Sequence, residues 1–134
     1  VGVRETRRVH CQHMLDAQEV VGGASVADSI GLNAWPIEAH VEGSVQWQHF
    51  NDAHNAFNQL PWRMLVPLAP SPSNLLVAGR CAGMTHLGQS AARASGACFV
   101  MGQAAGTAAA LRIGGQDSYQ AIRTSLLNSG VILA

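Results

Sequence analysis

Between Arg93 and Arg112 the sequence runs for 18 residues without a formal charge, ASGACFVMGQAAGTAAAL. A stretch of this kind belongs either in a bilayer or in the core of a folded domain, and its composition decides between them. Ala, Gly, Ser, Thr and Gln dominate it, and only Phe99, Val100, Met101 and Leu111 are strongly apolar. A membrane span needs about 20 predominantly apolar residues. Gly102 and Gly106 have the spacing that lets transmembrane helices touch, but the expectation is a buried helix of a soluble domain and no membrane. The alanines favour one long helix from about residue 91 to residue 112, stopped by Gly114 and Gly115. Gly96, Gly102 and Gly106 each cost about 1 kcal/mol in an exposed helix. They are expected where the backbone closely approaches a strand or a ligand.

The totals narrow the field further. A chain of 134 residues supports one domain with a real core. Charged residues make up only 12%, against ~25% in ordinary soluble domains. Much of the surface is therefore polar-neutral or covered by another body. The formal net charge is zero, and Arg4, Arg7 and Arg8 form the one basic cluster, so nucleic acid is not expected as a partner. Cys11, Cys81 and Cys98 are odd in number and widely spaced, which argues against a disulfide framework and for a reducing, cytoplasmic compartment. His10 and His13 flank Cys11 but no fourth ligand is in sight, so no metal site is expected. The first 15 residues lack the apolar centre of a secretory signal. The first residue is Val, so the chain is expected to start inside a larger product.

Along the chain, residues 1–10 alternate as a strand would. Asp16 caps a short helix ended by Gly22 and Gly23, and a second short helix covers residues 26–30. AWPIEAHVEGSVQW reads as extended, with Pro36 confining it to an edge or a strand start. Residues 48–59 are polar enough for a loop, LPWRMLVPL is a short strand, and NLLVAGR is a strand whose continuous apolar run suits burial on both faces. Asp117 opens a last helix with Gln120 in the capping-box position, with Tyr119, Ile122 and Leu126 inward and Gly130 at its end. The class is α/β, mixed α+β for these residues alone, with a long small-residue helix packed on a few-stranded sheet.

The junction between the apolar run and the long helix reads AGRCAGMTHLGQSAARASG. A strand, a glycine-bearing turn and a helix start form a receptor for an anion or an electron-rich edge, because unpaired N–H groups and the helix dipole point outward there. Gly79 and Gly83 would let the backbone meet a ligand. Neither G-x-G-x-x-G nor a Walker pattern is present, so the junction marks a place without naming its occupant.

NLLVAGRCAGMTHLGQSAARASGACFVMGQAAGTAAAL resembles the C-terminal cofactor-binding segment of the FAD-dependent oxidoreductases of the glutathione-reductase-like superfamily. GVRETRR, WPIEAH, LPWRMLVP and the terminal NSGVIL agree with that family in order, so the resemblance covers essentially all of the chain. It implies FAD as cofactor and a small-molecule substrate. The segment at Gly79, Arg80 and Cys81 would run beneath the ribityl and pyrophosphate region. The backbone of Ala94, Ser95 and Gly96 would face the flavin N1 and C2 carbonyl, where a helix start stabilises the negative charge of the reduced ring. Arg93 and His86 fall on an arginine and a histidine near the flavin or substrate, the candidate catalytic residues. Either could instead be structural, Arg93 as a surface charge and His86 as a packed loop histidine, and Arg4, Arg7 and Arg8 are equally open. Gly83, Gln89 and Gly96 depart from the family's usual Ser, His and Pro, which leaves the substrate undefined.

The resemblance thus implies a C-terminal portion of an FAD/NAD(P)-binding fold. Residues 1–61 would lie on the substrate side, and residues 62–134 would be part of the FAD-binding domain. One alternative is a stand-alone, non-enzymatic remnant that no longer binds FAD and serves as an interaction module; in either case the low charge and the apolar helix favour self-association through a former interface, giving a homo-oligomer. The other is a small-molecule carrier that uses the same helix start for an anion.

Overall fold

The structure is a computed structural model and describes residues 7–133. The first helix, α1 (Ala17–Val21), forms where its capping signals place it. The Asp16 side chain accepts from the Glu19 N–H at 3.0 Å, and Glu19 Oε2 accepts from the Asp16 N–H at 3.0 Å. Glu19 also holds the ring of His13, with Nε2 2.9 Å from Oε1.

The short helix expected at residues 26–30 is instead a turn leading into a strand, β1 (Ser29–Asn33). Asp28 decides this. Its carboxylate accepts from the Arg63 N–H at 3.1 Å and from Arg63 Nε at 3.0 Å, and its carbonyl accepts from the Trp62 N–H at 2.7 Å. The backbone is thereby pinned beside a distant segment. β2 (Ile37–Val41) and β3 (Ser44–Gln48) form an antiparallel hairpin in the stretch expected to be extended. Its turn residues Glu42 and Gly43 both have positive φ, 49° and 80°, as a two-residue hairpin turn requires. β4 (Asn58–Pro61) pairs antiparallel with β1, Asn33 opposite Asn58 and Ser29 opposite Pro61, with a bulge between. At that bulge Gly31 has φ 146°, and a Cβ there would lie 2.5 Å from Val100 Cγ1.

The polar loop expected through residue 59 therefore ends early, because Asn58 and Gln59 are buried strand residues. Asn33 Nδ2 donates to Asn58 Oδ1 at 2.9 Å, and Gln59 Nε2 to the Leu133 carbonyl at 3.1 Å. The strand expected in LPWRMLVPL is confined to its first residues, and Trp62–Leu65 form a 3-10 turn that buries Met64 and Leu65. Of the N-terminal strand expected at residues 1–10, positions 1–6 lie outside the described residues. Positions 7–10 form no strand, and the segment meets residues 66–68 through an isolated bridge at Cys11 and Pro67.

Two larger corrections concern the C-terminal half. NLLV is not a strand: Leu75 is 42% exposed, and the Val77 N–H bonds the Leu65 carbonyl at 3.0 Å. A strand needs a hydrogen-bonded neighbour strand, and none lies beside this run among the described residues. The long helix is broken into α2 (His86–Ala92) and α3 (Ser95–Ile113), whose axes meet at 93°. No single helix among the described residues is long and apolar enough to cross a membrane. The last helix, α4 (Tyr119–Asn128), is capped by Ser118 rather than Asp117, and Asp117 pairs with Arg112 at 2.8 Å. Ile122 and Leu126 face inward as expected.

One core joins these parts, with Leu15, Ile30, Leu60, Met64, Met101 and Leu126 fully enclosed. The buried side of α3 packs on β1 and α4. Its other side carries Phe99, 77% exposed, and Ile113, 90% exposed. Gly102 and Gly106 meet nothing within 4 Å, so the close approach expected at these glycines is not made by the described residues.

Candidate functional site

The break between α2 and α3 creates the site. α2 is held by Gly88, where a Cβ would fall on the backbone carbonyl of Leu15, so this helix crosses the start of α1 at backbone contact. α3 is held by Val100 over Gly31. One continuous helix cannot satisfy both contacts. Arg93 remains helical at φ −81°, ψ −7°, while Ala94 turns extended at φ −62°, ψ 152° and becomes the N-cap of α3. Ala94 has no side-chain oxygen, so the first turn of α3 has no side-chain cap.

That uncapped turn lines a cavity of about 400 Å³ together with Arg93, Ser90, Trp35 and Glu38. The size suits a small-molecule site. Ser95 and Gly96 are exposed, and a Cβ on Gly96 would meet nothing within 4 Å, so the helix start is open. The hairpin forms the opposite wall. Glu38 Oε2 accepts from Trp35 Nε1 at 3.2 Å, and its Oε1 lies 3.5 Å from His40 Nε2. Arg93 Nη2 reaches the Glu38 carbonyl at 3.5 Å rather than its carboxylate.

Gly79, Arg80 and Cys81 form a 3-10 turn packed against α3. Gly79 has φ 59°, and a Cβ there would sit 3.5 Å from Cys98 Sγ. Buried Gln89 donates from Nε2 to the Arg80 carbonyl at 3.0 Å, tying this turn to α2. Cys98 Sγ donates to the Arg93 carbonyl at 3.3 Å, and burial pushes its thiol pKa up. Of the residues expected to meet the cofactor, Ala94, Ser95 and Gly96 line the cavity at the α3 start, whereas Gly79, Arg80 and Cys81 pack against α3 near Cys98 and are not among the residues lining that cavity.

His86 is elsewhere. It heads α2, seven residues and about 10 Å of helix from Arg93. Its Nδ1 lies 3.5 Å from Arg8 Nη2, and it lines a separate cleft with Asp16, Gln18 and Thr85. Gly83 is not open to a ligand, since a Cβ there would strike the His13 carbonyl and the Cys11 side chain. Trp35 and Glu38 were not singled out by sequence. Their signal was the alternation in WPIEAH, which turns Glu38 away from buried Ile37.

A second cavity, of about 410 Å³, is lined by residues 21–25, Asp52, Asn55, Phe57 and Gln59. Asp52 is committed within its own loop, accepting from Asn55 Nδ2 and the His54 N–H, which holds its pKa below the usual value. This cavity presents little chemistry. The cavity at the α3 start combines an open helix dipole, a guanidinium and a carboxylate, the furniture of a cofactor or substrate site.

The comparisons agree with that class. A family model described as FAD dependent oxidoreductase matches residues 1–130, and the chain belongs to that family, whose cofactor is FAD. Neither the curated proteins nor the solved structures gave a match. The uncapped α3 turn and the space over Gly96 suit an electron-rich ring edge.

Proposed function

We propose that this chain is the C-terminal portion of a flavin-dependent oxidoreductase of the glutathione-reductase-like kind, contributing the pyrimidine and ribityl side of the FAD site and part of the substrate side. The observation that carries this reading is the bare N-terminus of α3 opening on a cavity, with the Gly79–Cys81 turn packed against the same helix. Flavin, when bound, supplies the electron acceptor. The amides of Ser95 and Gly96 hold its electron-rich edge, the Gly79–Cys81 turn supports the ribityl side, and Arg93 adds a positive charge next to the helix start.

The 134 residues contain no G-x-G-x-x-G turn for the diphosphate. That grip is assigned to another part of the complete protein, with residues 1–61 on the substrate side and residues 62–134 in the FAD-binding domain. A free-anion carrier is disfavoured because the Glu38 carboxylate lines the same cavity. The exposed outer side of α3 supports self-association through a former interface, in this reading and in that of a stand-alone module alike. A cytoplasmic setting and His86 as a substrate-side group, reached from the far end of α2, belong to the proposal.

Purification and titration with FAD test it. The chain should come out colourless and bind added FAD only weakly, through this edge. Stoichiometric flavin retained through purification would contradict placing the diphosphate grip elsewhere.

A further inference from the structure

We infer that the hairpin wall facing the α3 start is a recognition site for an organic cation, an alkyl- or arylammonium group, with Glu38 as its counter-charge and Trp35 as its aromatic face. This rests on the flavin reading above in one respect: the flavin edge takes the helix start, leaving the opposite wall to the substrate.

Two positive features line the cavity, the α3 dipole and Arg93, and the His40 ring lies beside the Glu38 carboxylate. The Glu38 carboxylate is paired formally with none of them except through His40 at 3.5 Å. Arg93 lies within reach but bonds the Glu38 main-chain carbonyl, also at 3.5 Å, and leaves the carboxylate to the neutral indole N–H. A half-buried carboxylate fixed by an indole, with no guanidinium or ammonium among the described residues upon it, presents negative charge to whatever enters.

The neighbouring surface is aromatic. Trp35 packs edge-on against Trp47 with centroids 5.9 Å apart, and Trp47 stacks on His49. Glu38 and Trp47 are directly opposed across the hairpin, so carboxylate and indoles share one face. Trp35 and Trp47 remain 44% and 47% exposed although large apolar rings favour burial. A carboxylate beside open indole faces is complementary to a weakly hydrated cation, which gains from both. A carboxylate ligand would be repelled by Glu38, and a neutral alcohol would gain only hydrogen bonds.

Benzylamine, benzyl alcohol and benzoate differ chiefly in charge and serve as probes at pH 7, with the indole N–H resonance of Trp35 as readout on the full chain without flavin. Benzylammonium should shift that resonance and bind about ten-fold tighter than benzyl alcohol, with benzoate weakest. Glu38→Gln should abolish the preference of the amine over the alcohol. Equal binding of amine and alcohol by the unaltered chain would overturn the inference whatever the variant's stability, as would a preference that survives in folded Glu38→Gln. FAD is then added in a separate titration. Loss of its effect at Ser95 and Gly96 with the ammonium preference intact would defeat the flavin reading alone, and the converse would defeat only this one.

Discussion

At the scale of single residues, the most constrained positions are those where backbone meets backbone. Gly88 is the clearest, because its missing side chain is what lets α2 lie against the Leu15 carbonyl. Gly88→Ala should destabilise the fold by about 2–3 kcal/mol in a urea titration, although alanine is the better helix former. Tyr119, the sole tyrosine, donates to the Ser29 carbonyl at 2.8 Å, and burial raises its pKa above the ordinary 10.0. The fold favours the neutral phenol, so this contribution is full below pH ~10 and is lost as pH rises through the higher folded value. Tyr119→Phe should cost about 1 kcal/mol at neutral pH and flatten the fall in stability above pH ~10, measured by denaturant melts across that range. Sequence disclosed residues whose signals are local, such as the Asp16–Glu19 capping box. It did not disclose Gly83 as a packing glycine, or Glu38 as a cavity residue, because both roles depend on segments more than 40 positions away.

At the scale of elements, the break at Arg93 and Ala94 matters most. Nothing local announces it: no proline stands there, and the flanking alanines favour a continuous helix. The contacts of Gly88 with α1 and of Val100 with β1 impose it from outside. The misreading of NLLV has the opposite origin, since a strand-like run needs neighbours that the described residues do not provide. α1 was legible because its cap residues encode it nearby, and residues 34–47 were legible as extended, but the Glu42–Gly43 turn that folds them into a hairpin was not read. The uncapped α3 start also separates stability from function. Ala94 already has extended dihedrals suited to an N-cap, so Ala94→Asp should stabilise the chain by about 1 kcal/mol. The same carboxylate would occupy the helix start and repel an electron-rich ring edge. Thermal melts should therefore rise while any FAD response falls; a variant that gains stability and responds to FAD undiminished would argue against the α3 start as the flavin contact.

At the scale of the whole molecule, the scarcity of charge was the broadest signal in the sequence, and the exposed side of α3 shows one place where it is felt. Phe99, Gly102, Gly106 and Ile113 leave that side apolar and flat. A surface of this kind tends to be covered. Sedimentation velocity should show association that grows with concentration and is weakened by Phe99→Glu, whereas a monomer at every concentration would count against α3 as an interface. The central claim concerns the other end of the same helix. The most direct measurement is a ¹H–¹⁵N spectrum of the chain titrated with FAD to millimolar concentration. The account predicts shifts concentrated at the amides of Ser95, Gly96 and Ala97 and at the Gly79–Cys81 turn. No response at these amides, or a response centred elsewhere, would contradict it.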